Sequence, residues 1–161
     1  MEDPVSVSAI AERPLTVCDV IEHLQQALSE TIVVTSKAQT YHWNVTGMAF
    51  GPLHALFQDI YEDHFAAQDG LAERIKALGG YADGRPSVAL KRSSVAECAG
   101  QLKPEAMVEQ LAGDERKLSE TIRSAAKAAE GVGHFASHDL AVERLAVHDK
   151  FAWMLDSHLA R

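Results

Sequence analysis

Residues 41–80 read YHWNVTGMAFGPLHALFQDIYEDHFAAQDGLAERIKALGG, the end of one helix, a tight turn and the whole of a second. Asn44 and Gly47 mark the end of one helix. Gly51-Pro52 then opens another, with Pro52 expected at the first helical position, where a missing N–H costs nothing. From there Leu53, Leu56, Phe57, Ile60, Leu71, Ile75 and Leu78 recur at helical spacing until Gly79-Gly80 stops the run. Two helices joined by so short a turn make an antiparallel hairpin.

The flanking sequence repeats the pattern. Upstream, Thr16-x-x-Asp19 forms a capping-box variant that starts the first helix, whose apolar face runs Val17, Val20, Ile21, Leu24, Leu28, Ile32. Downstream, a third helix begins at Pro104, carries Glu105 in its positive first turn, and passes Leu111, Leu118 and Ile122 to Gly131. A fourth starts near Ser137 and carries Leu140, Val147, Phe151, Met154 and Leu155. No alternating strand pattern of useful length appears. The class is all-α, a four-helix bundle.

The join from Gly79 to Lys103 far exceeds the ~2–8 residues usual between bundle neighbours. It must cross the length of the bundle, which lets the second and third helices run parallel, the topology of ferritin-like bundles. Ser94-x-x-Glu97 inside it predicts a short helix in the crossover. The expected organisation is a short flexible segment over residues 1–15 and one ferritin-like four-helix bundle domain over residues 16–161.

Composition narrows the function. Apolar residues make up 47% of the 161, too many for a disordered chain, and they never run long enough to span a membrane. MEDPVSVSAIAERPL does not read as a secretory signal. Cys18 and Cys98 are the only cysteines, too few for a disulfide framework or a thiolate zinc site, so a reducing cytoplasm is expected and both are read as buried small hydrophobes. The formal charge of −8 repels polyanions and suits small cations.

Two groups of residues can carry chemistry. His42 ends the first helix and His54 begins the second, so the hairpin lets two imidazoles converge, and imidazole suits iron, zinc or copper. Asp69 and Glu73, four apart, project from one face of the second helix and can bind a hard cation. His54 and Asp69 are separated along that helix by roughly 22 Å, which no metal centre spans. Either the groups are unrelated or the site is shared between chains, a two-fold axis setting Asp69 and Glu73 of one against His42 and His54 of the other.

The segments His42-Trp43-Asn44-Val45-Thr46-Gly47, Leu53-His54, Asp69-Gly70-Leu71-Ala72-Glu73-Arg74 and Leu78-Gly79-Gly80 closely resemble the Dps family of starvation-induced miniferritins. The likeness continues to Asp149-Lys150-Phe151-Ala152-Trp153-Met154-Leu155 and covers most of residues 20–158. The resemblance implies a homo-oligomer, a hollow dodecamer, with ferroxidase centres between subunits. Carried over by position, His42 and His54 ligate from one chain and Asp69 and Glu73 from its partner. It further implies that Fe(II) is oxidised there, preferably by hydrogen peroxide, with Fe(III) mineral stored in the cavity. One position departs from the pattern: Gln58 stands where the family has Asp or Glu, a neutral ligand expected to weaken iron occupancy or slow oxidation.

Plainer readings stand beside these. Trp43, beside the expected centre, is most simply core or interface packing. His64, His134, His138, His148 and His158 are read as surface residues. Asp139 and Glu143 resemble the family's acidic iron-entry pore. Asp59, Glu62 and Asp63 fit either a cavity lining or a solvated face. A conventional ferritin centre is excluded, because no Glu or Asp precedes a His by three positions. The rival functions are a DNA-condensing stress protein with little ferroxidase activity and a helical interaction bundle without metal chemistry. Arg13 against Glu2, Asp3 and Glu12, and Arg161 alone beyond the last helix, leave no basic tail to hold DNA.

Overall fold

The computed structural model describes residues 13–159, so residues 1–12 of the expected N-terminal segment and Arg161 lie outside the described residues. Five helices follow in order: α1 (Val17–Asn44), α2 (Phe50–Ala77), α3 (Pro86–Arg92), α4 (Pro104–Gly131) and α5 (Phe135–Leu159). Cross-helix contacts fix their directions. Gln68 of α2 donates to Thr35 of α1 at 2.9 Å, and His42 meets His54, so these helices are antiparallel. Lys37 pairs with Asp114 at 2.6 Å, while Leu15, just before α1, lies against Gly131, where a Cβ would approach its Cδ1 to 2.7 Å. α1 and α4 are therefore antiparallel as well, which makes α2 and α4 parallel, as the long crossover requires. Ser119 bonds Asp149 at 2.9 Å and closes α5 antiparallel onto α4.

Local chemistry sets the ends. The Asp19 carboxylate accepts both the Thr16 N–H and the Thr16 hydroxyl at 2.8 Å, starting α1 as expected. α2 begins at Phe50, so Pro52 is its third residue rather than its first. The cost is still nil, because none of the first four N–H groups has an intrahelical acceptor.

The crossover does hold a short helix, but α3 lies upstream of Ser94-x-x-Glu97, with Pro86 at its start. Ser94 does not cap a helix. Its hydroxyl donates to the buried Glu30 carboxylate at 2.8 Å, and Gln26 holds the Arg92 carbonyl at 2.7 Å. These bonds strap the crossover onto α1 and leave residues 94–97 no free cap.

Two apolar clusters fill the bundle. One gathers Val34, Tyr41, Phe57, Ile60, Leu111, Leu118 and Leu155, the other Leu24, Leu28, Leu71, Ile75, Ile122 and Ala129. A polar layer sits about where they meet. The reading of both cysteines as buried fails here, and those of Trp43 and Asp63 are narrowed. Cys18 is exposed and Cys98 only partly buried, because Cys18 falls off the apolar stripe of α1. Trp43 is 66% exposed, so of the two packing roles expected for it only the interface one is left. Asp63 turns inward to Arg144 rather than lining a solvated face. Among the described residues, no helix is long and apolar enough to cross a membrane.

Candidate metal centre

The hairpin between α1 and α2 brings His42 and His54 together with their rings stacked, centroids 3.7 Å apart. Each Nδ1 lies 2.8 Å from the other residue's backbone carbonyl oxygen. A carbonyl can only accept, so both Nδ1 atoms carry a hydrogen and donate it. Rings held this way by Nδ1 leave Nε2 as the nitrogen that can offer a lone pair, the tautomer a metal needs. Phe50 stacks on His54 at 4.9 Å, and Tyr61 meets His42 edge-on at 5.3 Å. Both rings are thus fixed by backbone and by packing before any ligand arrives.

Asp69 and Glu73 stand exposed on the far part of the unbroken α2, so the chain does not bring them to the histidines. Asp69 instead borders a groove between α1 and α2, lined also by Leu28, Ile32, Phe65 and Ala72. Phe65 is 69% exposed there. Gln58 follows His54 by one turn and donates its amide to Glu62 at 2.7 Å, which leaves its carbonyl oxygen free to coordinate. Asp139 and Glu143 are both exposed near the start of α5, one turn apart.

The interior holds a second histidine site that the surface reading missed. His64 is 0% exposed and His148 1%; they flank Glu115, which is itself fully buried. His148 Nδ1 lies 2.8 Å from Glu115 Oε2, and His64 Nε2 lies 3.1 Å from Glu115 Oε1. On the other side of His64, Nδ1 is 3.2 Å from Asp63, whose same oxygen accepts from Arg144 at 2.7 Å. Burial opposes charge throughout. The facing Glu115 and the Asp63 bond nevertheless outweigh it and raise His64 to about 9. Glu115 is pushed up by burial but held low by His64 and His148. Burial keeps His148 below its ordinary value despite Glu115. A carboxylate, one imidazolium and one neutral imidazole therefore coexist in the core, balanced by the Asp63–Arg144 pair.

The helical register carried this signal. His64 follows Phe57 and Ile60 and precedes Leu71 on the buried stripe of α2, and Glu115 lies between Leu111 and Leu118 on that of α4. His148 lies between Ala141 and Leu155 on α5. Each polar residue sits where a core side chain is due.

A ferritin-like domain model matches residues 21–161. The chain is 32% identical to General stress protein 20U of Bacillus subtilis, over 86% of this chain and 98% of that protein. It is 31% identical to a DNA protection during starvation protein of Helicobacter pylori, over 88% and 97%. The crystal structure of Dps from Staphylococcus aureus superposes with a TM-score of 0.88 at 33% identity, covering 91% of this chain and 99% of that one. With the long crossover, the locked histidine pair and the carboxylates of α2, these likenesses make the chain a member of the Dps family within the ferritin-like fold.

Proposed function

We propose that this protein oxidises Fe²⁺ at centres formed between two of its chains and stores the ferric product inside a hollow oligomer, with hydrogen peroxide as oxidant. The observation that carries the reading is the reciprocal lock of His42 and His54, which readies two Nε2 lone pairs at a helix-hairpin end. Asp69 and Glu73, exposed on the same helix roughly 22 Å away, are out of reach within one chain. Antiparallel pairing of two α2 helices about a two-fold axis brings the partner's carboxylates to the histidines. The groove beside Asp69, with Phe65 bared in it, is the apolar surface such a pairing covers.

The ligand set suits the reaction. Imidazole binds Fe²⁺ well, and hard carboxylate oxygens favour Fe³⁺ more than Fe²⁺, so the site pulls the ion toward its oxidised form. Two Fe²⁺ give up one electron each. The O–O bond of one peroxide takes both electrons and two protons to become two waters, with no hydroxyl radical released. Gln58 contributes a neutral oxygen where a third carboxylate would help, so the first ion is held more loosely. Asp139 and Glu143 supply an acidic entry for the cation once chains assemble, as in a dodecamer. DNA condensation by charged tails is no part of the proposal, since the chain carries a formal charge of −8.

The test is anaerobic Fe²⁺ titration followed by stoichiometric peroxide. Rapid ferric formation near two irons per peroxide is expected, and it is lost in an Asp69→Ala/Glu73→Ala variant. Oxidation no faster than in protein-free buffer would overturn the proposal.

A further inference from the structure

The bundle interior of each chain carries metal-ligating groups that the inter-subunit centre does not use. From His64, Glu115 and His148 one ligand atom each can be chosen so that all three lie within 4.8 Å of one another. Three helices, α2, α4 and α5, supply them. A zinc-sized ion with bonds near 2.1 Å spaces its tetrahedral ligands about 3.4 Å apart. The 2.8 and 3.1 Å separations to the two Glu115 oxygens both fall a few tenths of an ångström short of that spacing, so the side chains must move apart slightly to admit an ion.

Two further observations single this layer out from an ordinary buried ion pair. His64 Nε2 and Glu115 Oε1 are wholly buried and 3.1 Å apart, a contact of charges without the geometry of a hydrogen bond. Unsatisfied buried polar atoms are costly and rare, and here two of them meet at one place. His64 is also braced from behind, because its Nδ1 faces Asp63 and Arg144 holds that carboxylate. A carboxylate behind the imidazole fixes the ring and aims the opposite nitrogen, the arrangement that supports metal-bound histidines.

We propose that His64, Glu115 and His148 form a second, intra-subunit site for one divalent transition-metal ion, distinct from the centre between chains. Two imidazoles and one carboxylate are the donor set of mononuclear Fe²⁺ and Zn²⁺ sites. A di-iron centre is not what it offers. Glu115 is the only carboxylate of the three, whereas a bundle di-iron centre draws on four Glu. Beyond Glu115, Asp63 and Arg144 cancel each other, so a bound dication leaves one net positive charge, which a hydroxide as fourth ligand would neutralise. Since all three side chains are sealed from solvent, the ion enters only when the bundle opens, and both uptake and release are slow.

The experiment uses full-length protein in which His54, Asp69 and Glu73 are alanine, so that the inter-subunit centre is gone. Prolonged incubation with Co²⁺ followed by gel filtration should leave about one Co²⁺ per chain, with the intense visible bands of a four- or five-coordinate site. The retained Co²⁺ should fall at least tenfold in both Glu115→Gln and His148→Gln made in that background. No retained Co²⁺, or equal retention in those variants, overturns the proposal. Should both variants fail to fold, the parent background decides alone: Zn²⁺ must raise its Tm, as any ligand confined to the native state does. A Tm indifferent to Zn²⁺ counts against the site.

Discussion

His42 and His54 differ from His64 and His148 in nearly every physical respect, although each pair comprises two imidazoles on neighbouring helices. The first pair lies at the hairpin end, partly exposed, with each Nδ1 satisfied by a backbone carbonyl. Nothing there depends on a side-chain charge. The second pair lies in mid-bundle, sealed from water, and leans on the carboxylates of Glu115 and Asp63. Backbone carbonyls leave a site open and tolerant of substitution. Buried charges bind the site to the stability of the whole bundle.

That contrast can be broken most sharply at Glu115. Glu115→Leu removes the only carboxylate between two buried histidines and should cost about 3–5 kcal/mol, read as a large fall in thermal or denaturant midpoint. His54→Ala should cost under about 1 kcal/mol in the same assay, as expected of a partly exposed side chain. Similar losses for the two would erase the distinction. The activities should reverse: His54→Ala weakens Fe²⁺ binding at least about tenfold, measured by anaerobic titration of the assembled protein.

Smaller effects sharpen the outer site. Gln58→Glu restores a negative ligand one turn from His54 and should tighten Fe²⁺ binding several-fold, about 1 kcal/mol. Unchanged affinity would remove Gln58 from the ligand set. The least effect is expected at the start of α5. Asp139→Asn with Glu143→Gln should slow iron uptake at low ionic strength, with the difference shrinking as salt screens the charges. The unfolding midpoint should not move, because both residues are exposed.

Much of this was legible in the chain. The stripes of α1, α2, α4 and α5 announce themselves through apolar spacing, and the crossover length alone implies that α2 and α4 are parallel. The pairing of His42 with His54 follows from the hairpin, although their locking by each other's carbonyls does not. Ser94 misled because its hydroxyl has two possible uses, and only the fold reveals Glu30 opposite it. His64, Glu115 and His148 were missed for another reason. Residue type was allowed to outweigh position: each occupies a core register, yet histidine and glutamate are usually found in water. Their mutual neutralisation requires helices distant in sequence to meet, which no local pattern states. Cys18 errs the opposite way, an apolar type placed off the stripe and left exposed.

If the ferroxidase centre is shared between two chains, two inactive variants must complement each other. A His42→Ala/His54→Ala variant and an Asp69→Ala/Glu73→Ala variant should each be inactive alone. Dissociated, mixed in equal amounts and reassembled, half of the two-fold pairs contain one chain of each kind, and each mixed pair regains one of its two centres. Peroxide-dependent iron oxidation should therefore return to about a quarter of the unmodified rate. Verified mixed oligomers with no recovered activity would contradict the account and confine the chemistry to a single chain.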